Sequence, residues 1–251
     1  MDNPRDIRNN IDTFKTAFAG YEEYYTVIGG TACLLLMEEA GEQFRLTKDI
    51  DMILVFEDGG EEFCKAFWSF IKAGGYTCGW KNSESHYYRF TDPVKGFPSQ
   101  IELFSRRADF PVDSTIIPVI ISDDVSSLSA IALDEDFYQF MKSGRRIVDG
   151  IPILDTPYII PFKMYAWMNN KANKADGRIV NDRDITKHKN DIFRLLPLLN
   201  PSDRVMVAGN VKSAVEDFLN AMEKEILDNH ILGLRTKEES IAILREIYQI
   251  Y

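Results

Sequence analysis

Asp49-Ile50-Asp51 puts two carboxylates two positions apart at the head of an apolar run that continues Met52-Ile-Leu-Val-Phe56. If the run is a β-strand, residues i and i+2 share a face, about 6.6 Å apart along it, and Ile50 points the other way. Two carboxylates so placed repel, and one tends to protonate, unless a cation lies between them. A D-x-D pair is more often an ordinary surface pair. Here it opens a strand whose remainder is apolar, so one end of that strand is buried. Burying like charges is costly without a partner, and a divalent metal is the usual one. Gln100-Ile-Glu102-Leu-Phe104 alternates polar and apolar residues, again as a strand does. Beside the first strand, Glu102 would add a third carboxylate to the same face; at a sheet edge it would simply face water. Three acids on adjacent strands suit two Mg²⁺ ions. Such a pair neutralises a triphosphate, activates an attacking hydroxyl and stabilises a departing pyrophosphate.

The elements needed to position these groups are present. Tyr25-Thr-Val-Ile28 reads as a short strand running into Gly29-Gly30 and a helix, Thr31–Ala40. Glycine permits close backbone approach, and the start of a helix offers free N–H groups and a positive dipole end, so phosphate is a natural guest. A Gly-Gly pair also occurs in any tight turn, and no GxxxxGK[ST] is present, so this is not a P-loop. Apolar spacing predicts helices over 11–25, 61–73, 134–143 and 211–226, and strands over 76–80, 87–90, 100–104 and 116–121. Asp149-Gly150 signals a hairpin. Asp155-Thr-Pro157 opens a helix, and Thr236-Lys-Glu-Glu239 is a capping box. The chain thus reads as α+β over 1–154, a mixed sheet flanked by helices, followed by a helical region over 155–251.

Val27-Ile-Gly-Gly-Thr-Ala32, a helix, and then Arg45-Leu-Thr-Lys-Asp-Ile-Asp-Met52 resembles the signature of the nucleotidyltransferase superfamily, the minimal polymerase-β-like type. The form GGTA followed by R-x-T-K-D-I-D is most similar to the AbiEii toxin-like branch. The resemblance implies that Gly29, Gly30 and Thr31, with Lys48, bind nucleotide phosphates. It implies that Asp49 and Asp51 bind metal, with a later strand carboxylate, best matched by Glu102, completing the triad. Tyr158-Ile-Ile-Pro-Phe-Lys163-Met-Tyr-Ala166 resembles the family's helix that carries a lysine toward the nucleotide. Arg183-Asp-Ile-Thr-Lys187-His-Lys-Asn-Asp191-Ile192 resembles its later charged helix, with a looser fit because His188 and Asn190 intervene. Lys163 and Lys187 suit point-charge contacts to phosphate, and either could equally be a surface lysine laid along its helix. Tyr158, Tyr165 and Trp167 suit a core better than base stacking.

The implied activity is Mg²⁺-dependent transfer of a nucleoside monophosphate from an NTP to an acceptor that is RNA, protein or a small molecule. A toxin with a cognate antitoxin protein, an antibiotic-modifying type and a binding-only module are the readings this leaves open.

Net charge over the 251 residues is −10, which disfavours generic DNA binding, since that needs a basic face. Residues 160–195 carry eight basic and four acidic side chains, an island of +4 that leaves −14 for the rest. Such an island suits a compact polyanion or a salt-bridged helix face. No run approaches a membrane span and the N-terminus lacks an apolar signal core, so a cytoplasmic protein is expected. Cys33, Cys64 and Cys78 read as reduced thiols, and His86, His188 and His230 fit no metal spacing.

Overall fold

The computed structural model describes residues 3–56, 60–81, 84–106, 116–119 and 128–251. It divides into two compact units, Met1–Tyr138 with Arg145–Leu154, and Gln139–Gly144 with Asp155–Tyr251.

The first unit is built on a mixed sheet. In chain order its elements are α1 (Pro4–Ala17), β1 (Tyr25–Ile28), α2 (Gly29–Glu39), β2 (Asp49–Leu54), α3 (Glu61–Ala73), β3 (Thr77–Lys81), β4 (Glu84–Thr91), β5 (Gln100–Arg106), β6 (Ile116–Val119) and β7 (Leu128–Leu133). Helix α4 (Glu135–Ser143) and the hairpin β8 (Arg145–Val148) and β9 (Ile151–Leu154) follow. The strands run in the order β3-β4-β5-β2-β1-β9-β8, with β7 pairing β5 and β6 pairing β7. The fold is α+β.

Alternation decides what each sheet face does. Tyr25 pairs with Leu54 and Val27 with Met52, so these share one face with Ile50, while Ile28 pairs with Asp51 on the other. The first face is sealed by an aromatic cluster. Phe14 of α1 and Phe18, its C-cap, meet Tyr25, and Phe63 and Phe67 of α3 stack in the same group. Phe90 of β4 meets Phe67 edge-on, extending the cluster toward β5. Stripes read from helical spacing supply these rings, and α3 falls at 61–73 as its spacing predicts.

Several boundaries differ from expectation. The first helix covers Pro4–Ala17 rather than 11–25. Asn3 caps it and Pro4 opens it, and Gly20 then turns the chain with φ 88° so that Tyr25 enters β1. Gly29 and Gly30 are the first residues of α2 rather than a turn before it. Strand β7 adds to the strands expected from alternation. Of 116–121, the structure describes only Ile116–Val119. At the β8–β9 hairpin, Asp149 and Gly150 both take positive φ, as a two-residue type I′ turn requires.

The second unit is helical: α5 (Thr156–Ala175), α6 (Asp182–Leu195), α7 (Gly209–Met222), α8 (Asn229–Leu232) and α9 (Lys237–Tyr248). Asp155 caps α5, and Thr236 and Glu239 form the reciprocal capping box of α9. Trp167 of α5 meets Phe218 of α7 edge-on in its core. Pro161 sits inside α5. It has no N–H, so the carbonyl four residues earlier, that of Pro157, loses its helical partner. Tyr248 at the end of α9 supplies one, its hydroxyl donating to Pro157 O at 2.7 Å. Burial pushes that hydroxyl well above the usual tyrosine range, so it remains a protonated donor. Tyr248→Phe should therefore cost about 1–3 kcal/mol in chemical denaturation, the penalty of a buried carbonyl left without a donor.

Among the described residues no helix is long and apolar enough to cross a membrane. Cys33 and Cys64 are buried and not joined in a disulfide, and burial pushes the Cys64 thiol up to about 12. The side chains of Cys78 and His86 lie outside the described residues.

Candidate functional site

Strand β2 pairs in parallel with β5, and Asp49 lies opposite Gln100 and Asp51 opposite Glu102. Directly opposite residues share a face, so all three acids stand on the side away from the aromatic cluster. Burial follows the same alternation. Ile50, Met52, Ile101 and Leu103 are buried, whereas Asp49, Asp51 and Glu102 are half-buried. Strand β5 is internal, between β4 and β2, so Glu102 is not an edge-strand group.

Helix α2 starts against this face. Gly29 takes φ 69°, and a side chain there would begin 2.0 Å from Asp51 Oδ2. The Asp51 carboxylate thus lies where only glycine leaves room, at the helix end whose dipole favours negative charge. The N-cap residue Ile28 offers no side-chain acceptor and the first turn holds no acid, so any anion that meets the leading N–H groups comes from outside the helix. At Gly30 an added carbon would meet Thr47 Oγ1 at 2.7 Å and Arg45 Nη2 at 3.2 Å. The chain before β2 therefore passes closely over the helix start.

Thr31 is buried, and its hydroxyl donates to the Asp49 carbonyl at 2.7 Å. Its side chain pins α2 to the head of β2, so any contact it makes with a phosphate is through its backbone. Lys48 is exposed beside Asp49, and its carbonyl accepts from the Ser99 N–H at 2.8 Å, tying the entry of β2 to that of β5.

Glu102 has a partner that sequence reasoning missed. Arg89 of β4 lies opposite it in the antiparallel β4–β5 register; its Nε donates to Glu102 Oε1, and its Nη2 lies within ion-pair distance of the same oxygen. Glu102 is 13% exposed and Arg89 45%. Among the described residues no three His, Cys, Asp or Glu side chains are gathered tightly enough to hold a metal ion. The backbone register fits a divalent site formed by Asp49, Asp51 and Glu102, while the Glu102 side chain is committed to Arg89.

The other predicted residues lie in the second unit. Lys163 is 3% exposed, and its Nζ donates to Asp191 Oδ2 at 3.0 Å, with Asp191 fully buried. It is neither a surface lysine nor a bare cation. Lys187 is exposed and pairs with Asp184 at 2.9 Å, within its own helix. Six of the eight cations of the basic island have a carboxylate within ion-pair distance; Lys171 and Lys189 share Glu225, and Lys174 meets Asp182. The island is thus a salt-bridged helix surface more than a polyanion platform. Trp167 is core as expected, and Tyr158 packs on Phe140, but Tyr165 is exposed.

No protein-family model matches the chain, and no curated protein matches it. It is similar to solved structures at low identity. An antigenic nucleotidyltransferase-like protein from Paracoccidioides brasiliensis aligns over 91% of this chain and 97% of its own, at 10% identity and TM-score 0.47. The antibiotic-resistance factor ANT(2'')-Ia aligns over 88% and 97%, at 11% identity and TM-score 0.42. JHP933 from Helicobacter pylori aligns over 100% and 93%, at 14% identity and TM-score 0.40.

Proposed function

We propose that the chain is a nucleotidyltransferase, moving a nucleoside monophosphate from an NTP to an acceptor with release of pyrophosphate. The observation that carries this reading is the β2–β5 register, which sets Asp51 opposite Glu102 and Asp49 on the same face, beside the glycine start of α2. Asp49 and Asp51 would hold Mg²⁺, and Glu102 would join them once released from Arg89. Bound there, the metal would neutralise phosphate charge and lower the pKa of the attacking hydroxyl. Glu102 would also accept the acceptor's proton, since it is the carboxylate on the neighbouring strand. The leading N–H groups of α2 would cradle the outer phosphates, with Gly29 and Gly30 allowing the approach.

The strongly acidic chain favours a cationic small molecule over nucleic acid as acceptor. A toxin role, with an antitoxin partner, is supported by the likeness of residues 27–52 to the AbiEii-type signature. The engagement of Glu102 by Arg89 supports a second reading, a nucleotide-binding module without turnover.

The test is label transfer. The protein is incubated with Mg²⁺, each α-labelled NTP and cell extract, beside Asp49→Asn/Asp51→Asn. A labelled product formed only by the unmodified chain is expected, and its sensitivity to RNase or protease assigns the acceptor. NTP binding by thermal shift, with no label transferred from any of the four NTPs, would favour the binding module.

A further inference from the structure

We propose that Arg89 is the resident counter-ion of the carboxylate face, holding Glu102 until a divalent cation displaces it. The inference rests on the metal-dependent reading above and deepens it.

The pairing is dictated by the sheet. Arg89 and Glu102 are opposite residues on neighbouring strands, so their side chains rise on one face from backbones about 5 Å apart. Two nitrogens of the guanidinium converge on one carboxylate oxygen, a charge-assisted contact. Asp49, Asp51 and Glu102 place three carboxylates on neighbouring strand positions, and Arg89 offsets the charge of Glu102. The two partners differ in freedom. Glu102 is 13% exposed on an internal strand, whereas Arg89 is 45% exposed on a long flexible stem. Arg89 can therefore swing into water at little desolvation cost, while Glu102 stays where the register puts it. Cation binding by all three carboxylates and the Arg89 contact compete for the same carboxylate, that of Glu102. Arg89 thus sets a threshold: it weakens the bare site for metal and keeps Glu102 aligned while the site is empty.

The test reads metal binding without turnover. Mn²⁺ is titrated into the full chain and followed by electron paramagnetic resonance, for the parent, Arg89→Ala, Arg89→Lys and Arg89→Ala/Glu102→Gln. Arg89→Ala should bind Mn²⁺ about tenfold more tightly, equivalent to about 1.4 kcal/mol. Arg89→Lys should fall between the two, since it keeps the charge but loses the two-nitrogen fork. Adding Glu102→Gln should erase the gain. Thermal melts check folding, and Arg89→Gln, which keeps most of the stem, replaces the alanine variant if that unfolds. Equal or weaker Mn²⁺ affinity in folded Arg89→Ala overturns the proposal and leaves the metal site standing. Mn²⁺ binding that is undetectable in every protein, or indifferent to Asp49→Asn/Asp51→Asn, overturns the metal reading together with it.

Discussion

Lys163→Ala is expected to destabilise the chain by about 3–5 kcal/mol, the usual cost of deleting one member of a buried ion pair. Asp191 is fully buried, and Lys163 donates to it at 3.0 Å; Arg194 stands 3.8 Å from its other oxygen. Truncating the lysine opens a void the length of its stem and removes the Lys163 donor from a carboxylate held in low dielectric. Lys163→Met/Asp191→Leu removes both charges, keeps most of the volume and should recover most of the loss, because the pair's attraction largely repays its own desolvation. Urea denaturation of the single and double variants measures both. A single-variant loss below about 1 kcal/mol would show that Asp191 is satisfied without the lysine.

Gly29→Ala is expected to cost about 2–4 kcal/mol, combining backbone strain with overpacking. An L-residue at φ 69° is strained, and the new carbon would stand 2.0 Å from Asp51 Oδ2 and 2.9 Å from its Cγ. Aspartate is too short to swing clear without turning its carboxylate off the shared face. The substitution should therefore also abolish Mn²⁺ binding at concentrations that saturate the parent. Gly41→Ala, also at positive φ but with nothing within 4 Å, is the control that carries the strain alone. Equal denaturation midpoints for the two variants would mean that Asp51 does not press on Gly29.

Local physics made much of this chain legible. The strand character of Asp49–Leu54 follows from its apolar, β-branched run and that of Gln100–Arg106 from alternation, and the start of α5 and the capping box of α9 follow from cap chemistry. What local pattern cannot show is which strand lies beside which. Glu102 could be a site residue or an edge carboxylate until the β2–β5 pairing was seen, and Arg89 has no meaning at all without the β4–β5 register. Lys163 and Asp191 are 28 positions apart on different helices, so neither spacing nor charge predicts their union. At the first helix the error was local. Aromatic residues at 14, 18, 21 and 25 mimic one continuous stripe, yet the last of them belongs to a strand packed on the same cluster. Asn3-Pro4, a ready cap and opening residue, was the signal passed over.

The alternation that presents the three acids also governs how the chain can go wrong as it folds. Slipping β2 by one residue against β1 and β5 would turn Asp49 and Asp51 onto the phenylalanine side and bring Ile50 and Met52 out into water. Slipping β5 would do the same to Glu102. Each carboxylate forced among Phe63, Phe67 and Phe90 would cost several kcal/mol, far more than a shifted ladder could return. The charges at the heads of these two strands thus proofread strand alignment before they hold any ligand, and neutral replacements there should loosen the fidelity of folding even where they raise its final stability.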